Sequence, residues 1–391
     1  MQNKLKVYST SRSHVQNLLW LEYTHDVEEA DVIIVVNDCE VAKYQYLLVT
    51  ILNTHNDHKQ YMSEIENALF VESQVKFRYG KWYNQLKEGN NCFDKETMTN
   101  KRRSNVIYCE SSKKYIAIDD GYAHFARAQE LAGVLNVYKR GKDGTNNKNF
   151  ECYADLEDLR SDNDAQFHIT HNRHYNSSKL ILWPLQRYHH PGIFQCLLRK
   201  GVCKISFKDK LNRAVWRGQL SGKLCQERAH RAIFLDNTFE KYKDIDVALG
   251  SWIPHLHDKF MDDKKYLKNF MTVQEQCNYK FVINLEGHDW SSSFIWALFS
   301  TSCPLHTFPF QSENILFGNG LKEWVHFIPI EVDGSDLLTK YQWCLNNMDK
   351  CEEIANNGRI YMTRYANANI YHKILIRFLE LWPCKGGKNK C

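Results

Sequence analysis

Apolar residues in this chain gather into short continuous runs divided by polar turns, which is the pattern of strands buried on both faces. Lys4–Ser9 is predicted as a first strand and Ala30–Val36 (ADVIIVV) as the clearest one in the first half. Between them the polar loop Ser9–Ser13 is placed to cap a helix over Val15–Tyr23. Ala68–Val71, Val106–Cys109 and Tyr115–Ile118 continue the series, the last running into Asp119-Asp120-Gly121. Apolar strands alternating with helical stretches predict a parallel sheet covered on both sides.

The alternation restarts in the second half. Phe167–Thr170, Leu180–Trp183, Lys210–Gly218 (KLNRAVWRG) and Asp244–Leu249 read as strands, with a helix over Ser221–Phe234. Tyr279–Cys303 is the most structured stretch. Phe281–Leu285 is strand-like, Glu286-Gly287-His288-Asp289 makes a turn, and Ser291–Ser293 open a helix carrying Phe294, Ile295, Ala297 and Leu298 at helical spacing. Trp324–Ile330 is a further strand. Three helices follow, Ser335–Cys344, Lys350–Met362 and Ile370–Leu381, the last stopping before Pro383. The polar stretch Asp155–Asp164 separates two α/β halves, giving domains over 1–165 and 166–382 and a disordered basic tail over 383–391. Two domains also suit 391 residues, since single cores stop growing at roughly 250–300. The fold class is therefore α/β, two Rossmann-like domains facing across a cleft, with ligands expected outside the carboxyl ends of the strands.

Composition narrows the chemistry. A net charge of +5 without any long Lys/Arg run gives no basic stripe for nucleic acid, while leaving acidic small ligands welcome. The N-terminus lacks an apolar core of signal-peptide length and no segment has the span of a membrane helix, so the expected place is the cytoplasm, bacterial or that of a virus-infected host. Thirteen scattered cysteines without a C-x-x-C pair suit reduced thiols, not a disulfide framework or zinc site. Neither G-x-S-x-G nor G-x-G-x-x-G occurs, which argues against a serine-hydrolase elbow and a dinucleotide fingerprint.

Two places invite an anion. The strand–turn–helix corner Glu286–Ser293 offers the free N–H groups and partial positive charge of a helix start, with serine hydroxyls alongside. The run Trp216-Arg217-Gly218-Gln219-Leu220-Ser221 sets an arginine and a glycine at a strand end, where Arg can grip phosphate with two N–H groups. Each has an ordinary alternative, a capped turn for the first and a structural ion pair for Arg217. His168, His171 and His174 do not make a metal set, because on a strand His168 and His171 point to opposite faces.

These motifs, AVWRG at Ala214–Gly218, YKFVINLEGHDWSSSFIWAL at Tyr279–Leu298 and LKEWVHFIPI at Leu321–Ile330, resemble in order and spacing the CAP10-type glycosyltransferases, family 90. The resemblance implies a GT-B fold and an inverting, metal-independent transfer of glucose or xylose from UDP-glucose or UDP-xylose to a glycan or glycoprotein acceptor. It implies no cofactor. Donor binding would fall to Arg217, Gly218, Ser221, Glu286, Gly287, Asp289, Ser291, Ser292 and Ser293, and the catalytic base to Asp120 or Asp38 at strand ends of the first domain. Leu220 stands where secretory members carry a second arginine and Ser293 where they carry a basic residue, so Lys223, Arg228 or His190 would have to supply charge. That departure leaves a second reading, a non-catalytic nucleotide-sugar or glycan-binding module of the same fold.

Overall fold

The structure is a computed structural model. It describes residues 191–380 apart from 203, 221–223, 226–227, 253–257, 311 and 315–319, and the earlier chain as separate strands and helices between residues 5 and 184. The chain divides into two compact units, Met1–Lys76 and Phe77–Cys391, so the break expected near residue 165 falls inside the second unit.

In the first unit β1 (Leu5–Ser9) lies between β2 (Leu21–Tyr23) and β3 (Val32–Val35), parallel to both, and β4 (Leu48–Thr50) pairs antiparallel with β3. The helix expected over Val15–Tyr23 thus ends in a strand, because pairing with β1 outweighs the local spacing. Residues 70–78 correct Ala68–Val71 in the other sense, since they are helical. Val71, Gln74, Val75 and Arg78 are buried there at helical spacing. A run of four apolar residues does not by itself distinguish strand from helix.

The second unit holds two main sheets. In the first, β5 (Ser104–Cys109), β6 (Lys114–Ile118), β7 (Glu151–Asp155), β8 (Ile169–Thr170) and β10 (Ile181–Leu182) take the order β10-β8-β7-β5-β6. This sheet is mixed, not parallel. The link from Cys109 to Lys114 is too short for a crossover, so β5 and β6 form an antiparallel hairpin. Helix α1 (Phe125–Tyr138) packs on that hairpin through Ala128, Leu131, Ala132 and Leu135. β8 and β10, expected to open the second half, instead pair in parallel onto β7 and complete this sheet. β9 (Arg173–His174) pairs elsewhere, with a strand described below.

The second sheet positions the site. It follows α2 (Pro191–Arg199) and contains β11 (Leu211–Gly218), β14 (Ile245–Leu249), β15 (Tyr279–Asn284), β16 (Cys303–Thr307) and β18 (Ile328–Ile330), all parallel, in the order β14-β11-β15-β16-β18. Between β11 and β14 come the short hairpin β12 (Leu224–Cys225) and β13 (Arg228–Ala229) and helix α3 (His230–Thr238). Helices α4 (Val273–Gln276) and α5 (Ser292–Phe299) flank β15, and β17 (Ser312–Glu313) partners β9. Then α6 (Leu337–Asn346), α7 (Met348–Ala366) and α8 (Ala368–Glu380) close the chain.

Successive strand residues face opposite sides. Trp216, Ile283, Leu305 and Ile330 join Phe234, Leu235, Leu337 and Tyr341 in a core on one side, while Val215 and Val282 meet Trp296 and Ala297 on the other. The doubly covered α/β sheet expected from the continuous apolar runs is present. Three of its details differ, the first being β16, where no strand was expected. The hairpin takes up the first part of the helix expected over Ser221–Phe234, so α3 starts only at His230. Trp324 has φ 62 and its N–H donates to the Phe327 carbonyl at 2.7 Å, so a turn occupies the start of the strand expected over Trp324–Ile330. Among the described residues no helix is long and apolar enough to cross a membrane.

Candidate active site at the sheet's switch point

Ranked by position in the chain, the strands of the parallel sheet run 2-1-3-4-5. The winding reverses between β11 and β15. There the loops leaving the two strands turn to opposite faces and open a crevice, which is where ligands of doubly wound sheets bind. The loops are Gly218–Leu220 and Leu285–Gly287.

One side chain spans them. Arg231, in the first turn of α3, donates from Nη1 to the Gln219 carbonyl at 3.0 Å, from Nε to the Glu286 carbonyl at 2.9 Å and from Nη2 to the Leu285 carbonyl at 2.8 Å. Its guanidinium lies 5.8 Å from the Trp216 ring centre. Burial pulls its pKa down to about 10, against the opposing pull of the Glu286 carboxylate, so it remains a cation at neutral pH. Neighbouring His230 also bonds the Glu286 carbonyl, at 2.8 Å from Nε2. A carbonyl only accepts, so Nε2 carries the hydrogen.

Beyond Glu286 the turn closes by Gly287 N–H donating to the Asp289 carbonyl at 3.1 Å. Glu286, Asp289, Trp290 and Ser291 are buried. Ser291 is the N-cap of α5, yet its hydroxyl makes no cap bond to the first turn. It pairs instead with the Ser293 hydroxyl at 2.7 Å, and Ser293 donates to Oδ1 of buried Asn284 at 3.0 Å. The helix's positive end therefore sits beside β15 with serine hydroxyls and an amide around it. Ser292 is exposed.

His306 stands opposite Asn284 in the β15–β16 register. Its Nδ1 lies 2.6 Å from the Thr307 carbonyl, and the Phe294 ring packs 4.0 Å from its own. Burial lowers its pKa to about 3, so the ring is neutral. Nearby, at the carboxyl end of β18, His230, Ile233, Glu331, Val332, Asp333 and Ser335 line an open depression of about 260 Å³. Backbone N–H donation from Ser335 holds the Asp333 carboxyl below its ordinary range.

The structure brings Glu286, Gly287, Asp289, Ser291, Ser292 and Ser293 together, as one corner. Arg217 is engaged elsewhere. Its Nη2 meets Asp246 at 2.8 Å, Nη1 donates to the Trp216 and Asp246 carbonyls, and Nε donates to that of Asn269. Alternation along β11 explains this, because Arg217 lies on the opposite face from Trp216 and Arg231. Its surroundings are those of an ion pair with Asp246. Gly218 has a packing reason of its own: a Cβ there would lie 2.4 Å from Cζ2 of Trp216. Ser221, Lys223, His190, Asp38 and Asp120, and the Arg228 side chain, lie outside the described residues. Arg231, His230 and Asn284 were missed, the first two because the predicted helix over Ser221–Phe234 placed them in mid-helix, not at a helix start beside a strand end. Among the described residues no group of three or more His, Cys, Asp or Glu could hold a metal ion.

The crevice thus lies at the switch point of a doubly wound α/β sheet. Residues 193–379 match the model of the family described as Glycosyl transferase family 90. The chain is 26% identical over 163 residues to the O-glucosyltransferase LpsA of Dichelobacter nodosus, covering 42% of this chain and 46% of that one. It is 27% identical over 188 residues to Protein O-glucosyltransferase 2 of Danio rerio, covering 46% and 35%. The chain spans less than half the length of the curated relatives it matches. Among solved structures, Anabaena HepE in complex with UDP and glucose aligns over 52% of this chain and 56% of its own at 13% identity and a TM-score of 0.34, too low to bear on the fold.

Proposed function

We propose that the chain is a glycosyltransferase that takes glucose or xylose from UDP-glucose or UDP-xylose and transfers it, with inversion and without a metal, to a hydroxyl of a glycan or glycoprotein. The observation that carries this reading is the α5 start, with Ser291, Ser293 and Asn284 around it, set beside the switch point of a family 90 sheet. The bond that breaks releases a UDP diphosphate. A helix N-terminus beside it offsets the growing negative charge, the task a metal performs elsewhere. The ribose or nucleobase end of the donor would extend toward the depression at His230 and Asp333, whose carboxylates suit hydroxyls and N–H donors and repel phosphate. An inverting displacement also needs a carboxylate that deprotonates the acceptor hydroxyl as it attacks the anomeric carbon. Asp120 or Asp38 fills that role in this reading.

Release of UDP from a panel of nucleotide sugars, with and without EDTA, tests the proposal, and NMR of the product gives the anomeric outcome. A retained anomeric configuration, or turnover abolished by EDTA, would remove the inverting, metal-free part. The engagement of Arg217 by Asp246 favours the second reading, a binding module without turnover. Saturable binding of UDP with no UDP release from any donor would select it.

A further inference from the structure

The β11–β15 ladder stops at Val215 opposite Val282. Past that pair, Trp216–Leu220 and Ile283–Gly287 run on toward the crevice without pairing to each other, Trp216–Gly218 staying paired with β14 and Ile283–Asn284 with β16. Arg231 reaches both, with one bond to the Gln219 carbonyl on the β11 side and two to the Leu285 and Glu286 carbonyls on the β15 side. We propose that Arg231 is a positioning residue, a clamp that ties the two switch-point loops together and so sets the width of the donor crevice. The inference rests on the proposed function for what the crevice holds, but the clamp itself is a property of the chain.

Three features suit the residue to this task. A guanidinium presents its N–H groups in a fixed planar fork, so three carbonyls on two loops are held in one geometry, whereas an ammonium is a compact point donor on a flexible stem. The stem is fixed as well, since Arg231 is buried and stacks near the Trp216 ring. Finally, His230 Nε2–H bonds the same Glu286 carbonyl, which locates the β15 loop relative to the first turn of α3 from a second direction. Nothing in this arrangement puts Arg231 on the reacting atoms. It acts through the loops, and through Glu286 and Gly287 on one of them.

Arg231→Lys, which keeps the charge and most of the volume, and Arg231→Met are the test variants, each checked for folding by circular dichroism. Two measurements are made on the full chain. The first is hydrogen–deuterium exchange, in which loss of the clamp raises exchange in 218–220 and 285–287 together while α7 is unchanged. The second is steady-state transfer or UDP release with the best nucleotide sugar. Misplacing a site by an ångström costs about 100-fold, and a loss of that order in kcat/KM is expected in folded Arg231→Lys. The proposal is overturned if folded Arg231→Lys has wild-type exchange in both loops, or wild-type kcat and KM. It is also overturned if exchange rises evenly through the sheet, which marks a purely structural role. Should Arg231→Met fail to fold, Arg231→Lys decides. Should the wild-type protein release no UDP from any donor, the proposed function falls, and the exchange result alone decides the clamp.

Discussion

Substitution of two glycines separates a packing requirement from a site requirement. A Cβ at Gly218 would lie 2.4 Å from Cζ2 and 2.8 Å from Cε2 of the Trp216 ring. That ring is 3% exposed and packs among Leu220, Ala229 and Ala232 in the core, so it has little room to withdraw. Gly218→Ala is an overpacking change, expected to cost about 1–3 kcal/mol. For a unit of this size, that is a fall of roughly 2–12 °C in Tm. At Gly287 the nearest atoms to an added Cβ are Arg231 Nη2 at 3.6 Å and the Trp290 carbonyl at 3.9 Å, ordinary contacts. Gly287→Ala should leave Tm within about 2–4 °C of wild type, since only the small unfolded-state term remains. Its added methyl, however, points into the space between the clamp and the α5 corner, so the KM for the nucleotide sugar should rise. Differential scanning fluorimetry on both variants, with donor kinetics on the second, is sufficient. An unchanged Tm for Gly218→Ala would refute the steric reasoning, and unchanged donor KM for Gly287→Ala would take Gly287 out of the donor site.

Other expectations follow from the same contacts. Arg217→Met removes charged hydrogen bonds from Asp246 and should cost about 1.5–3 kcal/mol in urea unfolding. Wild-type stability for that variant would contradict the ion-pair assignment. Burial lowers the pKa of His306 to about 3 and of His326 to about 4, and the latter's Nδ1 accepts from Lys322 N–H. Between about pH 6.5 and 4 the unfolded chain therefore binds protons that the fold excludes, and stability falls with falling pH by up to about 1.4 kcal/mol per unit for each histidine. Urea titrations at stepped pH check this, and a flat profile through that window would contradict it. Ser293→Ala leaves Asn284 Oδ1 without that donor and should cost about 1 kcal/mol while weakening UDP binding by calorimetry.

Four of the five strands of the parallel sheet, all but β16, and the strand–turn–helix corner were legible in the sequence, because continuous apolar runs ending on polar residues depend on burial and spacing alone. The CAP10 motifs were legible for the same kind of reason, as fixed residues at fixed intervals. Short segments whose state depends on a distant partner were not. The pairing of β8 and β10 with β7, and the hairpin that displaces the start of α3, come from hydrogen bonds to other strands, not from local preference. The choice between Arg217 and Arg231 belongs to the same class. Arg217 lies at the end of β11 and Arg231 in the helix that follows the next hairpin, and both could have faced a phosphate. Alternation along β11 turns Arg217 to Asp246 on one face. The sheet order 2-1-3-4-5 carries Arg231, on a helix that crosses back over the other face, to the mouth between β11 and β15. The sequence alone determined that an anion-welcoming corner follows the Phe281–Leu285 strand. Which arginine stands beside it was decided only by the tertiary structure, because that depends on the face a strand presents and on the neighbours the sheet order assigns.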